Sequence, residues 1–100
     1  MHKISTQKLK ELLRDNPNIH LIDVRTPVEF AFGHVPESIN FPVEEIHQFN
    51  FPKDDQYYFI CHTGIRSKHA CRLLLNKGYK NITNITDGFI NWRGEVESGF

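Results

Sequence analysis

The sequence predicts an α/β domain built on a mostly parallel β-sheet. Short apolar segments alternate along the chain with segments of helical periodicity, and the intervals between them are short. The segment at 19–24, IHLIDV, is apolar and ends in charge, as a buried parallel strand does near the carboxyl edge of its sheet. Functional sites in such sheets form at that edge, where helix N-termini also point. We therefore expect the functional residues to follow the strands.

The first predicted helix covers residues 6–14. Ser5 is a good N-cap, and Ile4 and Leu9 can pack across it as a hydrophobic staple. Leucines at helical spacing give this segment one apolar face. The sequence NPN at 16–18 ends the helix.

The middle of the chain alternates short strands with short helices. Pro27 suits the first turn of a helix, and Gly33 is a stop signal. The predicted elements are a strand at 19–24, a short helix at 28–33, a strand at 38–42, a short helix at 43–49 and a strand at 56–61.

The last third of the chain predicts one long helix, at 67–78, with Ser67 as its N-cap and Gly78 at its C′ position. Apolar residues at 70, 73 and 74 form its buried stripe. A strand at 81–85 and a last turn or helix within 87–96 complete the prediction.

Length and composition predict a single domain, residues 1–100, and a monomer. Twelve Lys and Arg balance twelve Asp and Glu, so we expect neither nucleic acid nor a membrane surface as partner. No apolar run has the length of a membrane span or the character of a signal peptide, which favours a cytoplasmic protein. Cys61 and Cys71 are then expected to be free thiols.

The sequence CHTGIRS at 61–67 places Cys61 at the end of a strand and just before a helix. Unpaired N–H groups at the helix start, together with the Arg66 cation, favour the thiolate and predict a lowered pKa for Cys61. Gly64 permits the backbone to curl its N–H groups around one point, as in an anion-binding nest. The alternative is that Cys61 is a buried strand residue acting as a small hydrophobe.

Cys71 and His69 are less strongly indicated as functional residues than Cys61 is. Cys71 lies mid-helix, where core packing is favoured over a role as resolving thiol. His69 and Cys71 are two residues apart on a helix and diverge, so we expect no metal site.

The chain resembles the rhodanese family of sulfurtransferases, in particular its single-domain members. The family's pattern Cys-x-x-Gly-x-Arg followed by Ser or Thr is matched by Cys61, Gly64, Arg66 and Ser67. A second family series is matched by Asp23, Arg25, Glu29, Phe30, Gly33, His34, Asn40 and Pro42. The closing Gly-x-x-x-Trp is matched by Gly88 and Trp92.

The resemblance implies a five-stranded, mainly parallel sheet flanked by helices on both faces. It also implies that Cys61 takes the outer sulfur of a donor such as thiosulfate, holds it as a persulfide and passes it to cyanide, a thiol or a protein sulfur carrier. No metal or organic cofactor is required. The N–H groups that would stabilise the terminal sulfur belong to His62, Thr63, Gly64, Ile65 and Arg66.

The remaining site residues are predicted to support the loop. Arg66 would help to hold the loop and attract the donor anion. Asp23 and Arg25, at the end of a strand, either support the loop or form an ordinary ion pair. Ser67 supports it as helix cap. His62 is either a variable position that contributes its N–H or a cation that raises donor affinity at mildly acid pH.

Two other functions remain open at this point. Phosphatases and arsenate reductases of related fold use a Cys-x5-Arg loop, whereas this chain has Cys-x4-Arg, a tighter ring that suits a single sulfur atom. A non-catalytic redox or interaction domain would keep the fold without the chemistry. Phe89 stands where many relatives have glycine, so it is expected to narrow the pocket entrance or alter how a partner docks.

Overall fold

The computed structural model describes residues 1–100 and confirms the α/β fold, with five strands in one sheet. The order across the sheet is β1-β5-β4-β2-β3, and every neighbouring pair is parallel. The strands are β1 (His2–Ile4), β2 (His20–Asp23), β3 (Ser38–Asn40), β4 (Gln56–Ile60) and β5 (Asn81–Ile85).

Three α-helices and two 3₁₀ segments connect the strands. The helices are α1 (Thr6–Asp15), α2 (Pro27–Phe32) and α3 (Ile65–Asn76), and the 3₁₀ segments cover Val43–Gln48 and Phe89–Asn91. None of the helices has the length and apolar character needed to cross a bilayer.

Alternation along the central strand β4 creates a core on each face of the sheet, which confirms the expectation of helices on both sides. Tyr57 and Phe59 pack on one face with α3 and the first 3₁₀ segment. Tyr58 and Ile60 pack on the other face with the apolar stripe of α1. The carboxyl end of β4 is therefore enclosed from both sides, and it carries Cys61 as its next residue.

An aromatic cluster fills the core beneath α3. Phe49 is 1% exposed and forms its centre. The rings around Phe49 stand at steep angles to it, an arrangement that the ring quadrupole favours. These neighbouring rings are Phe41, Phe51, Tyr57, Phe59 and Tyr79. The cluster fixes the first 3₁₀ segment against the sheet.

The sequence prediction missed β1, because residues 2–4 were assigned only a role in capping α1. This strand is three residues long, lies at the sheet edge and pairs His2 with Thr83 of β5. Short, largely exposed edge strands carry almost no periodic signal, since only one face and one neighbour constrain them.

Replacement of Phe49 by Ala should destabilise the fold by about 3–5 kcal/mol, because it leaves a cavity lined by rings that cannot collapse into it. Urea unfolding followed by far-UV circular dichroism measures the change. Phe32→Ala is the matched control, since Phe32 is 85% exposed and its loss should cost within about 0.5 kcal/mol. Equal losses in the two variants would contradict the assignment of Phe49 as the core centre.

Candidate active site around Cys61

The Cys61 sulfur lies between the end of β4 and the start of α3. The residue is 1% exposed. Its Sγ accepts the backbone N–H of Gly64 at 3.1 Å and that of Ser67 at 3.3 Å. The N–H of Ser67 belongs to the first turn of α3, where a helix lacks internal acceptors. The sulfur thus takes the acceptor position that a capping side chain would occupy at a helix start.

The loop requires two glycines. Gly64 has φ of +95°, and a Cβ there would overlap the carbonyl oxygen of Thr86. Gly88 has φ of +72°, and a Cβ there would overlap the carbonyl oxygen of His62. The loop therefore packs backbone to backbone against residues 86–90, and the N–H of Phe89 donates to the Cys61 carbonyl at 2.8 Å.

Several N–H groups near the sulfur remain free. Those of His62, Thr63, Ile65 and Arg66 have no acceptor in the chain. Gly64 and Ser67, in contrast, already donate to Sγ. The loop therefore has donors in reserve for an anionic atom attached to Cys61, as in a backbone nest.

Ser67 is not the N-cap of the helix, and that prediction is wrong. α3 begins two residues earlier, with Gly64 as N-cap, because the Cys61 sulfur accepts the N–H that a capping side chain would otherwise bind. The Ser67 hydroxyl is buried and bonds Asn84 Oδ1 at 2.5 Å, and it lies 3.4 Å from Sγ.

Asn84 is a site residue that sequence reasoning missed. It is 3% exposed in β5, and its Nδ2 donates to the Gly64 carbonyl at 3.3 Å. The available signal was an amide side chain near the end of the predicted strand at 81–85, whose last four residues are buried, since a buried amide requires partners.

Arg66 is engaged by Glu29 of α2. Its Nη1 donates to Oε1 at 2.6 Å and its Nη2 to Oε2 at 2.9 Å. The bound guanidinium lowers the pKa of Glu29 to about 2, and Glu29 in turn raises the pKa of Arg66. Glu29 also accepts the Thr26 N–H in a capping box, so this pair joins the loop to the start of α2.

Asp23 and Arg25 form a buried pair next to the loop. Arg25 donates from Nε and Nη2 to the Asp23 carboxylate and from Nη2 to the Gly33 carbonyl at 2.7 Å. The Phe89 ring lies over this guanidinium, 4.3 Å from Cζ to the ring centroid. The pair supports Gly33 and Phe89, and it makes no direct hydrogen bond to loop residues 62–67.

A shallow depression of about 330 Å³ opens beside the loop. Its lining residues are Arg25, Glu29, Phe32, Gly33, His62 and Phe89. Phe89 thus lines the depression beside the loop, and its effect on substrate or partner access stays a prediction. A larger depression of about 510 Å³ lies along α1 and includes none of residues 61–67.

Cys71 differs from Cys61 in its surroundings. It is a free thiol at 0% exposure in the core, as its mid-helix position predicted. Desolvation raises the pKa of Cys71 to about 12, so it stays protonated and unreactive. Trp92 is likewise a core residue, whose Nε1 donates to the Glu95 carbonyl at 2.8 Å.

The rhodanese-like domain family model matches residues 5–95 of this chain. The chain belongs to the rhodanese-like family. The rhodanese signatures at Cys61 and at Asp23 to Pro42 fall within the matched region.

Sulfurtransferases are among the similar proteins. The chain is 33% identical over 94 residues to a sulfurtransferase of Allochromatium vinosum, covering 92% of this chain and 88% of that protein. It is 35% identical over 97 residues to a putative sulfurtransferase of Bacillus subtilis, covering 95% and 93%. A rhodanese-like domain protein of Staphylococcus aureus, 30% identical, superposes over 100% of both chains with a TM-score of 0.86.

The Glu29–Arg66 pair should make stability depend on pH in acid. The folded pKa of Glu29 is depressed from 4.5 to about 2, so its contribution is present above pH 4.5 and disappears as the pH falls towards 2. Both side chains are about one-third exposed, which limits the contribution to about 1 kcal/mol. The free energy of unfolding of wild type and Glu29→Gln, measured in urea at several pH values, should differ near neutrality and converge near pH 2.

The matched control is Glu45→Gln, because Glu45 is exposed and forms no ion pair. Its unfolding curve should follow that of wild type at every pH. A constant gap between wild type and Glu29→Gln down to pH 2 would contradict the electrostatic origin of the effect.

Proposed function

We propose that this rhodanese-like protein is a sulfurtransferase that carries sulfane sulfur as a persulfide on Cys61, from thiosulfate or a related donor to a thiophilic acceptor. The observation that carries the proposal is the position of Sγ at the start of α3, where it accepts two N–H groups while the four others of residues 62–66 are free. Such a site stabilises a thiolate and can accommodate one additional anionic sulfur.

The reaction has two displacement steps. The Cys61 thiolate attacks the outer sulfur of thiosulfate, a new S–S bond forms, and the S–S bond of the donor breaks with its electron pair leaving on sulfite. The persulfide then bears the terminal negative charge. In the second step cyanide or a thiolate attacks this terminal sulfur, and the Cys61 thiolate is released.

The free N–H groups of Thr63, Ile65 and Arg66 are assigned to the terminal sulfur of the persulfide. Asn84 and Glu29 act as positioning residues, because they hold Gly64, Ser67 and Arg66 without contacting the reacting atoms.

A protein or small thiol is the proposed acceptor. The chain is 29% identical over 97 residues to a putative sulfur carrier protein of Bacillus subtilis, of which it covers 52%. The loop surface suits such an acceptor, since His62, Thr63 and Ile65 are exposed around the buried sulfur. Both cysteines are free, which fits a reducing compartment such as the cytoplasm.

Phosphate or arsenate chemistry is disfavoured by the state of Arg66. An arginine that binds a tetrahedral oxyanion presents its two terminal nitrogens to the oxyanion, whereas both Nη atoms of Arg66 already bind Glu29. The loop also has one residue fewer than the Cys-x5-Arg loop. A non-catalytic domain is distinguished from a sulfurtransferase by experiment.

Incubation with thiosulfate should add one sulfur atom to the protein, seen by intact mass spectrometry, and cyanide should remove it as thiocyanate. Cys61→Ser should gain nothing. Cys71→Ala is the matched control and should load as wild type does, because the Cys71 thiol is buried and protonated.

Failure of wild type to gain sulfur from thiosulfate and from organic persulfides would overturn the proposal and leave the non-catalytic alternative. A gain of sulfur by Cys61→Ser would show that another residue is the carrier. Loss of loading in Cys71→Ala, with the fold intact, would contradict the assignment of Cys71 to the core alone.

A further inference from the structure

Two arginines flank the Cys61 loop, and they differ in their hydrogen-bond partners and in whether they line the depression beside the loop. Both terminal nitrogens of Arg66 bind Glu29, and Arg66 is not among the residues that line the depression beside the loop. Arg25 does line it. Each arginine is thus paired with a carboxylate, and of the two only Arg25, which the sequence assigned to support, lines the opening.

Arg25 has one nitrogen left for a ligand. Its side chain is only 5% exposed, and Nε and Nη2 are bound by Asp23 and the Gly33 carbonyl. Nη1 makes no hydrogen bond within the chain. No buried side-chain nitrogen or oxygen lacks a partner, so Nη1 reaches the accessible surface. That surface is the depression that Arg25 lines.

The position of Arg25 is fixed before any ligand arrives. Phe89 covers one face of the guanidinium at 4.3 Å and helps to hold it, and the edge that carries the free Nη1 remains available to a ligand. β2 runs beside β4, with Asp23 opposite Ile60, which places Arg25 level with the start of the Cys61 loop. A pre-oriented donor in a partly desolvated site binds anions more strongly than a mobile surface arginine does.

We propose that Arg25, through Nη1, binds the anionic group attached to the sulfane sulfur of the donor, and that Arg25 rather than Arg66 selects the donor. This rests on the proposed sulfur transfer at Cys61. The outer sulfur of thiosulfate would lie against Cys61 and its sulfonate oxygens against Nη1. As the donor S–S bond breaks, the electron pair moves onto the departing sulfite, so the charge facing Arg25 increases during the step.

The other charged groups around Arg25 are two paired carboxylates and the exposed His62. Glu29 is neutralised by Arg66, and Asp23 by Arg25 itself. His62 is exposed and held by no ion pair. The backbone N–H groups of the loop contact the transferred sulfur, which all sulfane donors share, so they do not discriminate between donors.

Thiosulfate and methanethiosulfonate provide a matched test, because a methyl group replaces one sulfonate oxygen and its charge while the outer sulfur is kept. The kcat/KM for each donor is measured in wild type, Arg25→Lys and Arg66→Lys. Lysine keeps the charge beside Asp23 or Glu29 but has no second terminal nitrogen. Arg25→Lys should lower the ratio of thiosulfate to methanethiosulfonate by about tenfold or more, the value of a charged hydrogen bond.

Arg66→Lys is the control variant, since its effect on loop position should fall equally on both donors and leave the ratio unchanged. An unchanged ratio in Arg25→Lys, or a ratio that falls only in Arg66→Lys, would overturn the proposal. If Arg25→Lys does not fold, the double variant Asp23→Asn, Arg25→Met removes both charges together. The same fall in the ratio of thiosulfate to methanethiosulfonate is expected, and an unchanged ratio would overturn the proposal.

Binding can also be followed without turnover. In ¹⁵N-labelled Cys61→Ser protein, thiosulfate should shift the side-chain Nε–H resonance of Arg25 more than methanethiosulfonate does, and a shift confined to Arg66 would overturn the proposal. Failure of both donors to load wild type would refute the sulfur transfer instead, while the resonance shifts would still report which arginine holds the anion.

Discussion

The site depends on two hydrogen bonds to one sulfur atom. By accepting the N–H groups of Gly64 and Ser67, Cys61 closes the first turn of α3 and fixes the loop between that helix and β4. The atom proposed to do the chemistry is therefore also the acceptor that the helix start requires. Bulk solvent has little access to it, so its hydrogen-bond partners are backbone N–H groups rather than water.

The short helix α2 is held in place by the two arginines next to the Cys61 loop. A helix of six residues has little stability of its own in water. Arg66 holds its first turn through Glu29, and Arg25 holds the residue after its end through the Gly33 carbonyl. An ion pair at the start of α2 and a hydrogen bond to the carbonyl after its end thus fix one wall of the opening, so neither arginine can be removed without loosening α2.

Much of this arrangement was predictable, and what was missed shares a physical cause. Local patterns indicated four of the five strands, the long helix and the place of Cys61 between a strand and a helix, because periodicity and turn residues act within a few positions. Ser67 was misassigned as a cap because a cysteine sulfur rarely takes that place. Asn84 and the pairing of Glu29 with Arg66 depend on contacts between distant segments, which spacing along the chain does not encode.

The parallel topology also sets the order in which the site can form during synthesis. The backbone that covers the loop comes from residues 86–90, and β1, although first to be made, pairs only with β5. The backbone N–H of Thr6 donates to Asp87 Oδ1 at 2.8 Å, which joins the start of α1 to the segment after β5. In a nascent chain the Cys61 loop thus stays uncovered until β5 and residues 86–90 have left the ribosome, and its sulfur becomes sheltered only when this segment docks.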